Sequence, residues 1–127
     1  MEVAVGFGEN HFTMSRGSFK YKQRISGKRK LVLQNKQKTE DGYLLTYVDP
    51  KGKTVDEQCY LFRVTENGTQ IRLAYEGDEK PEVNRYWLTF DANPAEHVYG
   101  CGETYSEFDL KGQKVRIWAL SDQIPNM

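Results

Sequence analysis

Apolar side chains return at every second position in short blocks along this chain, the period of a strand with one buried face rather than of an amphipathic helix. From Ser18 to Ile25 the residues Phe19, Tyr21, Gln23 and Ile25 share a face, because side chains alternate along a strand, and all but Gln23 are apolar. Tyr60, Phe62 and Val64 repeat the pattern, as do Ile71, Leu73 and Tyr75, and then Tyr86, Leu88 and Phe90. The pattern predicts strands over Glu2 to Phe7, Ser18 to Ile25, Lys28 to Gln37, Tyr43 to Val48, Gln58 to Thr65, Gln70 to Glu76, Arg85 to Phe90 and Lys114 to Trp118. No segment sustains a helical period. Short strands at near-regular spacing predict an all-β fold, an antiparallel β-sandwich.

Turn signals separate the blocks. Asn67-Gly68 lies between two alternating runs and fits a type I′ hairpin turn, which needs positive φ at both central residues. Asn67-Gly68-Thr69 is also a glycosylation sequon, but the hairpin accounts for it. Asp49-Pro50-Lys51-Gly52 punctuates in the same way, with Pro fixing φ and Gly free to adopt the left-handed region. The stretch Glu76-Gly77-Asp78-Glu79-Lys80-Pro81-Glu82 is charged and rich in breakers, and reads as a solvated loop.

Size and charge narrow the function. A chain of 127 residues buries roughly two thirds of its unfolded surface, enough for a core without metal or disulfide. Lys plus Arg and Asp plus Glu number 18 each, so no net field favours nucleic acid or an anionic membrane. The cluster Lys20, Lys22, Arg24, Lys28, Arg29 and Lys30 reads as a solvated strand face. Cys59 and Cys101 read as two free thiols in a reducing compartment. Met1 to Phe7 lacks a basic region and a long apolar run, and no stretch reaches the roughly twenty residues that span a bilayer. These features predict a soluble cytoplasmic protein.

Candidate chemistry is sparse. Glu103, Glu107 and Asp109 cluster near the C-terminus, but glycoside hydrolysis needs two carboxylates roughly 5 to 9.5 Å apart across the scissile bond, and a polar loop accounts for them better. Gly100-Cys101-Gly102 and Gly6-Phe7-Gly8 lack the following helix of a phosphate-binding loop and read as bulges or close approaches. Cys101 reads as a buried structural residue rather than a nucleophile paired with His97. With only His11 and His97, no metal site is expected, and no cofactor. Trp87 and Phe90 read as core; Tyr105, Phe108 and Trp118 flank a glycine-punctuated loop and are open to ligand contact.

The run His97-Val98-Tyr99-Gly100-Cys101-Gly102-Glu103-Thr104-Tyr105-Ser106-Glu107-Phe108-Asp109-Leu110-Lys111-Gly112, continuing to Val115-Arg116-Ile117-Trp118, resembles the end of the N-terminal β-domain of glycoside hydrolase family 31, where Y-G-x-G-E, F-x-L-x-G and a Trp follow in order. Met14-Ser15-Arg16-Gly17-Ser18-Phe19-Lys20 is similar to the R-G-x-F segment of the subset that includes bacterial sulfoquinovosidases and related α-glucosidases. The resemblance implies a galactose-mutarotase-like sandwich over residues 1–120, with 121–127 opening the connection to a (β/α)₈ barrel that carries the family's two catalytic aspartates. It implies no catalytic residue in this chain. It places Glu103, Tyr105, Phe108, Asp109, Arg116 and Trp118 near the substrate or the barrel interface. The implied partners are the barrel of a retaining α-glycosidase, carbohydrate, and a second copy through the barrel-facing patch. A stand-alone carbohydrate-binding or mutarotase-like module is the alternative.

Overall fold

The alternating blocks pair into antiparallel strands in the computed structural model, which describes residues 1–54, 58–100 and 108–115. The strands are β1 (Glu2–Ser15), β2 (Ser18–Lys30), β3 (Val32–Thr39), β4 (Gly42–Val48), β5 (Cys59–Asn67), β6 (Gln70–Tyr75) and β7 (Arg85–Thr89). All lie in the first of two compact units, Met1–Phe90; the second is Asp91–Met127. One sheet has the order β2-β1-β7 and the other is the meander β3-β4-β5-β6. Every pairing among the described strands is antiparallel, as the alternation predicts.

The two sheets share one core. Val3, Val5 and Leu31 enter it from the first sheet and its exit, Leu45, Tyr47, Tyr60 and Phe62 from the meander, and Val83 from the segment before β7. Cross-strand register explains the selection: Tyr47 faces Tyr60, Leu45 faces Phe62 and Phe62 faces Tyr75, so one face of the meander is a block of large side chains. Their rings lock together, Tyr47 edge-on to Phe62 at 5.8 Å and Phe62 against Tyr75 at 5.3 Å. Tyr86 of β7 reaches the block, 5.4 Å from Tyr75. Each such aromatic pair contributes about 0.5 to 1.5 kcal/mol beyond its buried area. Burial of the phenol holds Tyr75 protonated far above the usual tyrosine range, and Tyr47 and Tyr86 shift upward for the same reason.

Polar contacts tie the layers at one end. Leu31 N donates to Val3 O at 2.9 Å and Tyr47 Oη to Met1 O at 2.8 Å. Arg29 of β2 donates through Nε to Asp49 Oδ2, and Asp49 follows β4 of the other sheet. Asp49 is 1% exposed, and its Oδ1 accepts Lys51 N at 2.9 Å. The hydrogen bond to Asp49 holds the Arg29 guanidinium still more firmly in its charged form. The Tyr60 hydroxyl beside this pair is closed off from solvent and makes no hydrogen bond among the described residues. Burial raises its phenol pKa, and the charge of Arg29 pulls it partly back.

The structure departs from the sequence expectations at several points. β1 does not stop at Phe7: it runs to Ser15 and pairs with β2 to form one long hairpin. The strand expected from Lys28 to Gln37 is two strands, because Leu31 is drawn into the core where the chain leaves one sheet for the other. Asn67 pairs with Gln70, so the central residues of that turn are Gly68-Thr69, and only Gly68 has positive φ; this is a II′ pattern, not I′. In the Asp49 turn Gly52 N donates to Asp49 O, but Gly52 is not left-handed. Lys114 and Val115 are irregular, and the rest of the strand expected to Trp118 lies outside the described residues.

Removing Arg29 leaves a buried unpaired carboxylate, so Arg29→Met is expected to lower the unfolding free energy by about 3 kcal/mol in urea titration. Tyr60→Phe removes a hydroxyl without a partner and leaves stability unchanged or higher in the same experiment. A loss from Tyr60→Phe as large as that from Arg29→Met would show that the phenol is a working member of the network.

Candidate functional site

Chemistry-bearing side chains gather in three places among the described residues. The first is in the second unit, where Asp109 staples two segments together. Its Oδ1 accepts Val98 N at 3.0 Å and Lys111 N at 3.1 Å, while its Oδ2 lies 2.6 Å from His97 Nδ1. An ionised carboxylate only accepts, so the His97 Nδ1 proton is the donor. Leu110 N donates to Val98 O at 2.6 Å, closing the same pair of segments through the backbone. The Lys111 ammonium then caps Asn93 O and Pro94 O at 2.6 and 2.7 Å. The imidazole of His97 and the amides of Val98 and Lys111 together hold the Asp109 carboxyl well below the usual aspartate range, at about 2.

Aromatic rings border this staple. Tyr99 stacks on His97 at 6.2 Å and lies 4.9 Å from Phe108, whose ring is 85% exposed. Of the residues singled out from sequence, Phe108 and Asp109 therefore sit side by side with opposite duties, one ring open to solvent and one carboxylate consumed by backbone. Glu103, Tyr105, Arg116 and Trp118 lie outside the described residues, as do Glu107 and Cys101. Nothing in the spacing signals the pairing of His97 with Asp109 twelve residues away.

The second place is a cavity of about 530 Å³ in the first unit, with Arg29, Asp49 and Tyr60 in its wall and Lys51, Lys80 and Glu82 among its lining residues. Basic and acidic groups are balanced there, and Asp49, its one fully buried carboxylate, is already bound by Arg29 and by the Lys51 amide. Lys80 Nζ rests 4.8 Å from the Tyr60 ring centroid. Sequence reading saw Asp49 only as a turn residue. A buried acid and a basic strand residue twenty positions apart carry no periodic signal.

The third is the outer half of the first hairpin. Beyond Gly6, the last β1 residue paired with β7, β1 and β2 continue as a two-stranded arm to the turn Arg16-Gly17, where both residues have positive φ (51° and 74°). That is the I′ pattern whose twist suits a hairpin, and glycine carries the second position without strain. A bulge between Val5 and Phe7 marks the base. Asn84 clamps the next residue outward: Gly8 N donates to Asn84 Oδ1 at 2.7 Å and Asn84 Nδ2 donates to Gly8 O at 3.0 Å, so one side chain imitates the next ladder step of β7. Arg85 Nη2 reaches Asn10 Oδ1 at 3.1 Å. The segment Met14 to Lys20, with its R-G-S-F run, is the arm's tip.

Cys59 is a free thiol, and no cluster of three or more His, Cys, Asp or Glu is arranged to hold a metal ion among the described residues. No helix among them is long and apolar enough to cross a membrane.

Comparison with known proteins gives one consistent match. The profile of the glycosyl hydrolase 31 N-terminal galactose mutarotase-like domain matches residues 4–122. The sulfoquinovosidase of Escherichia coli is 30% identical over 114 residues, 90% of this chain but 16% of that protein. The sulfoquinovosidase of Agrobacterium fabrum is 30% identical over 113 residues, 89% of this chain and 15% of its own length. Among solved structures, a family 31 sulfoquinovosidase from E. rectale with an aza-sugar inhibitor superposes with a TM-score of 0.62 at 24% identity, over 86% of this chain and 15% of that one. The chain thus spans about one sixth of the length of the relatives it matches.

The depressed pKa of Asp109 carries a pH prediction. A carboxyl lowered in the folded state adds stability that is complete above its ordinary range and is lost as pH falls through about 2. Carboxyl ¹³C titration is expected to give Asp109 a midpoint near 2, and His97→Ala to move it up toward the ordinary aspartate value. An ordinary midpoint in the unsubstituted protein would show that the staple is not formed in solution.

Proposed function

The chain belongs to the family of glycosyl hydrolase 31 N-terminal galactose mutarotase-like domains, and from that premise we propose that it works as the non-catalytic N-terminal sandwich of an α-glycosidase, bracing the catalytic barrel and shaping the substrate entrance. The observation that supports this reading best is the employment of Asp49 and Asp109. Each is the acceptor around which backbone and basic side chains are organised. Retaining hydrolysis needs one carboxyl as nucleophile and another that still holds a proton near the working pH. Asp109, at about 2, is the opposite of such an acid.

In this reading Glu103, Tyr105, Phe108, Asp109, Arg116 and Trp118 belong to the junction with the barrel, and Asp109 acts there by fixing the segment that carries Phe108. The exposed Tyr99 and Phe108 rings offer flat apolar faces to a sugar at the entrance. The curated relatives are sulfoquinovosidases, so a sulfoquinovoside stands ahead of a plain α-glucoside or α-xyloside as substrate of the complete enzyme. The protein works in the cytoplasm. The same ring pair is what favours a second reading, a stand-alone carbohydrate-binding module.

Chromogenic α-sulfoquinovoside, α-glucoside and α-xyloside, offered to the purified 127-residue chain and to the longest product of its genomic locus, separate these readings. Turnover is expected from the longer product alone. Turnover by the chain itself would sink the non-catalytic reading and return Glu103, Glu107 and Asp109 to consideration; saturable sugar binding by the chain alone would favour the module.

A further inference from the structure

The cavity of about 530 Å³ in the first unit is lined from two charged loops, and both loops are pinned. One is the turn after β4. Its backbone closes from Gly52 N to Asp49 O at 3.1 Å, the Gln58 side-chain amide donates to Gly52 O at 2.5 Å, and Lys51 N is held by Asp49 Oδ1. The other is the segment between β6 and β7, which the sequence pattern marks as a solvated loop. Tyr75 Oη donates to Asp78 O at 2.7 Å and Val83 N to Lys80 O at 3.0 Å, so the stretch that borders the cavity has a fixed backbone. The buried pair of Arg29 and Asp49 gives the lining a rigid part of its own. A site whose walls are set in advance loses little conformational freedom when a ligand enters.

The charges around the cavity choose the ligand. Among the described lining residues four are basic and four acidic, so no net field selects an anion or a cation. The side chains of Lys51, Glu79 and Glu82 make no hydrogen bond or ion pair among the described residues. An apolar ligand would strip water from such groups and give them nothing in return. A neutral polyol suits them: each hydroxyl both donates and accepts, so adjacent hydroxyls satisfy a carboxylate and an ammonium at once. The volume falls within the roughly 300 to 1,000 Å³ of small-molecule sites, with room for a mono- or disaccharide.

We propose that this cavity binds an uncharged mono- or disaccharide, with Lys51 as donor and Glu82 as acceptor to its hydroxyls, at a site separate from the Tyr99 and Phe108 rings. The Lys80 ammonium overlies the Tyr60 ring at 4.8 Å, so that ring is no open platform for a sugar, and recognition rests on the hydroxyls. A dissociation constant on the order of a millimolar is expected. A sugar held here makes the first unit carbohydrate-binding in its own right, with or without a barrel attached.

The test is a ¹⁵N-amide titration of the 127-residue chain with methyl α-glucoside, maltose and methyl α-sulfoquinovoside in parallel. Saturable shifts are expected at Lys51, Gly52, Asp78 and Lys80, with the anionic sulfoquinovoside bound no tighter than the glucoside. Lys51→Ala and Glu82→Ala, both at exposed positions, are each expected to weaken binding about ten-fold, the loss of one hydrogen bond to a charged group. Thermal unfolding of each variant checks that the sandwich is intact. Shifts confined to Tyr99 and Phe108 overturn the cavity site and give the sugar to the ring pair. Tighter binding of the sulfoquinovoside than of the glucoside, or of the zwitterion glycine betaine than of either, overturns the neutral-sugar assignment. Absence of a saturable shift with all three sugars overturns the proposal and leaves the accessory reading untouched, because turnover by the longer product decides that reading.

Discussion

The contact on which the first unit depends is the buried pair between Arg29 and Asp49. Arg29 lies in β2 of one sheet and Asp49 directly follows β4 of the other, so the pair stands where β2 gives way to the crossover and β4 ends. Hydrophobic contact between two sheet faces is non-directional and tolerates sliding. An ion pair inside that contact does not, because a shift of a residue would leave a charge without its partner at a cost of several kcal/mol. Two lesser bonds act in the same sense: Leu31 N to Val3 O and Tyr47 Oη to Met1 O. Register between the layers is thus set by polar groups, and the aromatic block from Tyr47 to Tyr86 supplies the adhesion.

Fixing the sheets in this way lets the first hairpin outgrow them. β1 is held on both sides only from Glu2 to Gly6; beyond that it has β2 alone. Isolated two-stranded ribbons are marginal in water. Here the ribbon begins from a rigid base, is extended one step by the Asn84 side chain, and carries its own aromatic packing at Phe12. Phe12, Met14 and Phe19 on this ribbon are all more than half exposed. Lys20, Lys22 and Arg24 on the opposite face discourage random pairing along the open edges.

What was legible in the sequence follows from what a core does to a strand. Residues 43–48 and 60–64 alternate because one side of each is pressed against the other sheet, and they were read correctly; in β6 only Leu73 and Tyr75 reach that core, and Ile71 is exposed. Glu9 to Ser15 offers only Phe12 and Met14 at alternate positions, too few to mark a strand, and so its extension of β1 was missed. Arg16-Gly17 was seen as part of a family motif but not as a turn, since arginine seldom takes positive φ. The contrary error came at Asn67-Gly68, where the commonest turn dipeptide was read as the turn although Asn67 is the last paired residue. The family resemblance pointed to Asp109 and Phe108 without giving their roles. Those roles come from His97, Val98 and Lys111, contacts between positions whose separation has no period to detect.

The two carboxylates separate building from chemistry. Asp49 and Asp109 were recruited to the same kind of task in different units: each accepts a backbone amide two residues downstream and one basic side chain. At Asp109 that geometry favours the ionised form and holds the carboxyl well below the usual aspartate range. A catalytic acid requires the reverse environment, with its proton held by burial or a neighbouring negative charge. A domain that spends its well-placed acids on closing loops gains rigid edges in exchange. In the proposed accessory role those edges would be a fixed wall and a stapled loop carrying Tyr99 and Phe108.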